Sequence, residues 1–303
     1  MQPFTTKKRR ADAPPASPVP VQRCLNDFSV VMRWIAATAV ICAAITFVDY
    51  AIAQVDRVQP QQDAVQDQGS NAAPATGNPV AQAELRRDPA RWQASMKAFA
   101  SEDEKRLHRD VVFTGSSSVR KWKLDESFGQ RFSYVNRGFG GSILNDSIAH
   151  MDSVIIRYTP KVVAIYAGDN DLNLGMTVEQ VVEDYQEFVQ KLRQALPDVR
   201  LVYIAIKPSI ARWELIDSIR DTNNRIQAIT EKHPWQSFAD IVPVTMGADQ
   251  RPDPAVFRSD DLHINAEGYR RWTLVVEPLV EKQLSLANSA PPDVAALAAP
   301  QSK

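Results

Sequence analysis

Residues 161–206 read KVVAIYAGDNDLNLGMTVEQVVEDYQEFVQKLRQALPDVRLVYIAI, and the order of patterns in this stretch decides the fold. Its two ends, Lys161–Ala167 and Arg200–Ile206, are short runs rich in Val, Ile and Tyr, the length and composition of strands. Between them Val178, Val181, Val182, Tyr185, Phe188, Val189 and Leu192 recur with a helical period. Thr177, with Gln180 three positions on, has the form of a capping box and marks where that helix starts. Strand, helix, strand in this order implies a parallel pair joined by a crossover.

The same alternation continues outward. Asp110–Thr114 (DVVFT), Ser133–Asn136 and Ser237–Ile241 are three more short strand patterns. Helical patterns begin at Asp88-Pro89, where Trp92, Met96 and Phe99 form a stripe, and run through Trp122, over Ile143–Tyr158, over Glu214–Lys232 and after Asn265. Strands alternating with helices predict a doubly wound fold, a three-layer α/β/α sandwich on a five-stranded parallel sheet. Chemistry in such sheets gathers beyond the C-terminal strand ends, at the switch point.

Composition narrows the function. The chain has 303 residues, 44% of them hydrophobic, which is ample for a core. Its 35 Lys+Arg against 36 Asp+Glu leave a net charge of −1, without the cation excess that nucleic-acid binding requires. Two cysteines exclude a disulfide scaffold and a multi-cysteine zinc module. The charge is unevenly placed. Residues 1–53 carry six cations (Lys7, Lys8, Arg9, Arg10, Arg23, Arg33) and three acids (Asp12, Asp27, Asp49), so the rest of the chain sums to −4.

Within that segment Trp34–Val48 is uncharged, too short for the roughly 20 residues that span a bilayer, and Ala51-Ile52-Ala53 follows it. A basic flank, an apolar stretch and an A-x-A site read as a secretory signal cleaved after Ala53, with Met32 a second candidate start that gives a leader of ordinary length. The alternative is an uncleaved signal-anchor, residues 34–53, held by the positive-inside rule. Both place the bulk of the chain outside the cytoplasm, periplasmic or extracellular. Cys24 and Cys42 both fall in the leader. Residues 54–83, rich in Gln, Ala, Asp, Asn and Pro, are expected to be a disordered linker, 84–286 one folded domain, and 287–303 an Ala/Pro-rich tail.

At the predicted strand ends stand Gly115-Ser116-Ser117-Ser118, Gly138-Phe139-Gly140-Gly141-Ser142 and Gly168-Asp169-Asn170-Asp171, and before the last helix Asp260-Asp261-Leu262-His263. Each is weak alone; together, at one sheet edge, they are complementary. A hydroxyl nucleophile needs a base, the base an orienting acid, and the developing oxyanion hydrogen-bond donors. Ser117 can be the nucleophile, His263 the base and Asp260 the acid that selects its tautomer. The Ser117 and Gly141 N–H groups and the Asn170 amide are candidate oxyanion donors.

The blocks GSSS, NRGFGGS, YAGDND and DDLHINAEGY, in this order, resemble those of the SGNH hydrolases, the GDSL-type esterases and lipases. The resemblance implies a flavodoxin-like sandwich and carries the nucleophile onto Ser117, the oxyanion donors onto Gly141 and Asn170, and the D-x-x-H pair onto Asp260 and His263. Ser116 stands where the family name-motif has Asp, which leaves Ser116 and Ser118 as rival nucleophiles by residue type alone. Ile206-Lys207-Pro208-Ser209 with Arg212-Trp213 resembles a bacterial secreted branch of the family, and no role attaches to it.

The expected activity is therefore hydrolysis of carboxylic esters through an acyl-enzyme, on short acyl groups, with no metal or organic cofactor. The substrate partner is a small-molecule, carbohydrate or lipid ester; nucleic acid is not expected, and a membrane enters only through an uncleaved leader. Acyl transfer or carbohydrate deacetylation at the same site, and a non-catalytic binding protein on the same fold, are the alternatives. An α/β-hydrolase elbow fails because Val119 stands where G-x-S-x-G has its second glycine. Gly138-Phe139-Gly140 is half of a dinucleotide fingerprint, on the wrong strand. Asp169-x-Asp171-x-Asn173 starts like a calcium loop but lacks the turn glycine and the closing Glu. His108, His150 and His233 read as surface or core residues, and Trp122 and Trp213 as core or, if exposed near the site, as platforms that stack on a sugar ring or pack on an acyl chain.

Overall fold

The computed structural model describes residues 89–101 and 108–289. The leader over 1–53 with both cysteines, the linker over 54–83 and the tail after Ser289 lie outside the described residues. Among the described residues no helix is long and apolar enough to cross a membrane.

Five strands form one sheet: β1 (Val111–Gly115), β2 (Tyr134–Gly138), β3 (Val162–Tyr166), β4 (Arg200–Ile204) and β5 (Gln236–Ala239). They lie in the order β2-β1-β3-β4-β5, and every pairing is parallel. The chain thus reverses direction across the sheet between β1 and β3, the switch point where the strand-end loops diverge. Residue alternation divides the strands between two cores. Val112, Val163, Ile165, Leu201 and Tyr203 face one, and Val111, Phe113, Val162, Ala164, Tyr166, Val202 and Ile204 face the other. With both faces covered, β1 and β3 are buried throughout, which is why they read as continuous apolar runs.

The helices, in chain order, are α1 (Gln93–Ser101), α2 (Ser117–Arg120), α3 (Leu124–Phe128), α4 (Leu144–Ala149), α5 (Met151–Val154), α6 (Asp169–Asn173), α7 (Val178–Ala195), α8 (Ile216–Thr230), α9 (Val242–Thr245) and α10 (Ala266–Ser289). Tyr185 and Phe188 of α7 and Ile219 and Ile226 of α8 fill the first core, while Tyr269, Trp272, Val276 and Val280 of α10 fill the second. The capping box at Thr177 is present: Thr177 Oγ1 accepts from the Gln180 N–H at 3.2 Å and Gln180 Oε1 accepts from the Thr177 N–H at 3.0 Å. Asn265 Oδ1 accepts from the Gly268 N–H at 3.0 Å and starts α10, which runs to Ser289, past the domain end expected at residue 286.

Two helical expectations need correction. Ile143–Tyr158 is α4, α5 and a 3-10 turn, Ile156–Tyr158, rather than one helix. Its apolar residues still face inward through each break, so burial follows the helical period although the backbone does not. The helix expected from Glu214 starts at Ile216, after a 3-10 turn at Ile210–Leu215.

Candidate active site

The loop after β1 is forced into shape by Gly115. Its φ of +122° lies in the left-handed region, and a Cβ there would stand 2.0 Å from the Tyr166 carbonyl oxygen of β3. The turn delivers Ser116, Ser117 and Ser118 to the strand edge with Ser117 opening α2. Ser116 and Ser118 are each 2% exposed, whereas Ser117 is only half-buried and meets His263. Of the three serines, Ser117 is the one in hydrogen-bond contact with an imidazole.

The His263 loop is held by the bridge between Phe257 and Ile264 and by Asn265 Nδ2, which donates to the Ala255 and Phe257 carbonyls at 2.8 and 2.9 Å. Asp260 Oδ1 accepts from the backbone N–H groups of Leu262 and His263 at 3.1 and 2.8 Å. Its Oδ2 lies 2.6 Å from His263 Nδ1, and His263 Nε2 lies 2.9 Å from Ser117 Oγ. A carboxylate can only accept, so Nδ1 carries the proton and the Nε2 lone pair faces the hydroxyl, which donates to it. Burial works to raise the Asp260 pKa, but the two N–H groups and the imidazole outweigh it and bring it down to about 2. Burial lowers the His263 pKa below 6.5, with Asp260 opposing and Lys121 and Lys207 adding to the fall.

The third side of the site is the loop after β2. The Phe139 N–H donates to the Gly115 carbonyl at 2.9 Å, which seats this loop against the serine turn. Gly141, at φ +74°, takes a conformation that costs a side-chain-bearing residue. Ser142, next along, accepts from Asn170 Nδ2 at 2.9 Å, so the Gly141 loop and the Asn170 loop are tied together. Asn170 Oδ1 accepts from Arg212 at 3.1 Å. A guanidinium on one side and a carbonyl on the other leave the amide one orientation. One Nδ2 hydrogen is spent on Ser142, and the amide nitrogen has a second to donate.

Behind Asn170 lies an ionic group that the residue pattern did not reveal. Asp169 Oδ2 accepts from Lys207 Nζ at 2.6 Å and from the Tyr166 hydroxyl at 2.9 Å, and Asp169 Oδ1 pairs with Arg212. Lys207 is 1% exposed and Arg212 6% exposed. Burial would raise the Asp169 pKa, but Arg212 and Lys207 hold it well below the usual carboxylate range. Asp171 Oδ1 and Oδ2 accept from the Leu144 and Gly168 N–H groups at 2.9 and 3.0 Å. Both carboxylates of the calcium-like run are thus spent on protein partners. Among the described residues no group of three or more His, Cys, Asp and Glu could hold a metal ion.

The other singled-out residues stand elsewhere. His108 contacts Thr159, His150 meets the Phe139 ring edge-on, and His233 lies against Trp235. Trp122 is core, packed on Phe113, Phe128, Tyr269 and Trp272. Trp213 is half-buried, with the Arg251 guanidinium 4.6 Å from its ring centre.

Known proteins resemble this chain in sequence and fold. The platelet-activating factor acetylhydrolase IB subunit alpha1 of Bos taurus is 27% identical over 167 residues, 52% of this chain and 69% of that protein. The human subunit is 27% identical over 164 residues, 52% of this chain and 70% of its own length. The crystal structure of a GDSL-like lipase from Bacteroides thetaiotaomicron superposes with a TM-score of 0.52 at 20% identity, over 64% of this chain and 98% of that one, a likeness of fold. The model of the GDSL-like lipase/acylhydrolase family matches residues 111–271, from the first strand through the His263 loop into α10. That match takes in more than half of the 303 residues, and the chain belongs to the GDSL-like lipase/acylhydrolase family, the SGNH hydrolases.

Proposed function

We propose that this acylhydrolase is an exported serine esterase acting on short acyl groups through Ser117, His263 and Asp260. The observation that carries the reading is the continuous hydrogen-bond chain from Asp260 through His263 to Ser117, 2.6 and 2.9 Å long. Ser117 Oγ attacks the ester carbonyl as its proton passes to His263 Nε2, and Asp260 stabilises the imidazolium that results. The oxyanion takes hydrogen bonds from the Ser117 and Gly141 N–H groups and from Asn170 Nδ2. His263 returns the proton to the departing alcohol, and water, deprotonated by the same imidazole, releases the acid from Ser117.

Acetyl-sized groups are favoured on two grounds. No long apolar insertion that could act as a lid interrupts the blocks, and the relatives named above are acetylhydrolases. The basic and apolar leader over 1–53 supports export, which N-terminal sequencing of the mature protein would test.

The purified protein should hydrolyse nitrophenyl acetate without added metal, and Ser117→Ala should reduce turnover by at least about 10³-fold. Wild-type-like turnover in Ser117→Ala would remove the nucleophile. Competition by an added sugar alcohol for the acyl group separates transfer from hydrolysis.

A further inference from the structure

We propose that Arg212 is the positioning residue of the oxyanion donor, acting on the reaction through Asn170. The inference rests on the esterase reading above and adds a residue that the triad and the donors do not include. An Asn side chain has two rotatable bonds, and an oxyanion donor is effective only when its N–H is aimed before charge develops. Here the aim comes from behind. The Arg212 Nη1 nitrogen has two hydrogens, one on Asp169 Oδ1 and the other on Asn170 Oδ1, so a single group locks adjacent side chains of α6.

The lock is itself braced. Asp169 cannot swing away, because its second oxygen is taken by Lys207 and Tyr166. Arg212 cannot swing away, because it is buried and its turn is pinned to the opposite side of the site. The Ala211 N–H donates to the Asp261 carbonyl at 3.1 Å, and Asp261 follows the acid of the triad. The turn Ile210–Leu215 therefore joins the loop that carries the base to the loop that carries Asn170. A guanidinium at the amide oxygen also draws electron density from the amide nitrogen, which makes its N–H the stronger donor.

Burying Arg212 and Lys207 around one carboxylate is a costly way to stabilise a core, since apolar packing of the same volume is commonly as good or better. Its position directly behind the donor is what the arrangement adds.

The test is a double-mutant cycle on the full chain, with initial rates on nitrophenyl acetate for wild type, Asn170→Ala, Arg212→Ala and the double variant. Arg212→Ala should lower kcat about 10- to 100-fold with KM within about twofold, a part of the 10² to 10³ that deleting an oxyanion donor costs. The double variant should be no slower than Asn170→Ala, because Arg212 has nothing left to aim. Losses that multiply in the double variant would overturn the inference and leave the esterase reading standing. An unchanged rate in Asn170→Ala would overturn the inference and remove Asn170 from the oxyanion donors, whereas the esterase reading itself falls only if Ser117→Ala keeps wild-type-like turnover. Circular dichroism checks folding. If Arg212→Ala does not fold, the same cycle is run with Arg212→Lys, which keeps a cation beside Asp169 and should show a smaller loss that likewise vanishes without Asn170.

Discussion

The partners of the oxygens and nitrogens around Ser117 are set by what each can donate or accept. Asp260 uses one oxygen on backbone N–H groups and the other on His263, so its position does not depend on the imidazole it orients. The pH dependence of turnover follows from His263. In the proposed mechanism its neutral form is the base, and burial, with Lys121 and Lys207 assisting, puts its pKa below 6.5 against the pull of Asp260. kcat/KM should therefore rise with pH through a midpoint below 6.5 and stay level toward pH 8. A midpoint above 6.5 would show that Asp260 dominates the site rather than burial. Residue type alone did not choose among Ser116, Ser117 and Ser118; the contact with His263 distinguishes Ser117.

Elements were legible to the extent that their signals are local. Thr177 and Gln180 lie three residues apart, and their reciprocal bonds form as the spacing predicts. Thr177→Ala should destabilise the protein by about 1 kcal/mol, the usual worth of such a cap, seen as a lower urea midpoint with unchanged slope. No change in midpoint would mean that packing of Tyr185 and Phe188 alone holds the start of α7. The breaks between α4, α5 and the turn at Ile156–Tyr158 were not legible. Leu144, Ile148, Met151, Val154 and Tyr158 keep an inward face that one continuous helix would also give, and periodicity cannot distinguish the two.

At the scale of the molecule, the sheet divides the interior into two cores, and α10 closes the second with Trp272 fully buried against Trp122, Tyr166 and Tyr269. Trp272→Ala should cost about 3 to 5 kcal/mol, enough to unfold a domain of ordinary stability near physiological temperature. A melting temperature within a few degrees of wild type would contradict this account of the second core. Because Tyr166 touches both Trp272 and Asp169, that core also lies under the ionic group behind Asn170.

The chain alone determined the alternation of strands and helices, the parallel sheet, and the chemical types present at the strand ends. Those follow from periodicity and composition, which act between neighbours in sequence. Only the tertiary structure decided which serine meets His263, and that Lys207 and Arg212 converge on Asp169 from 38 and 43 positions away. A buried cation needs its partner in space, and nothing in the local pattern IKPS or RW says where the fold will put that carboxylate.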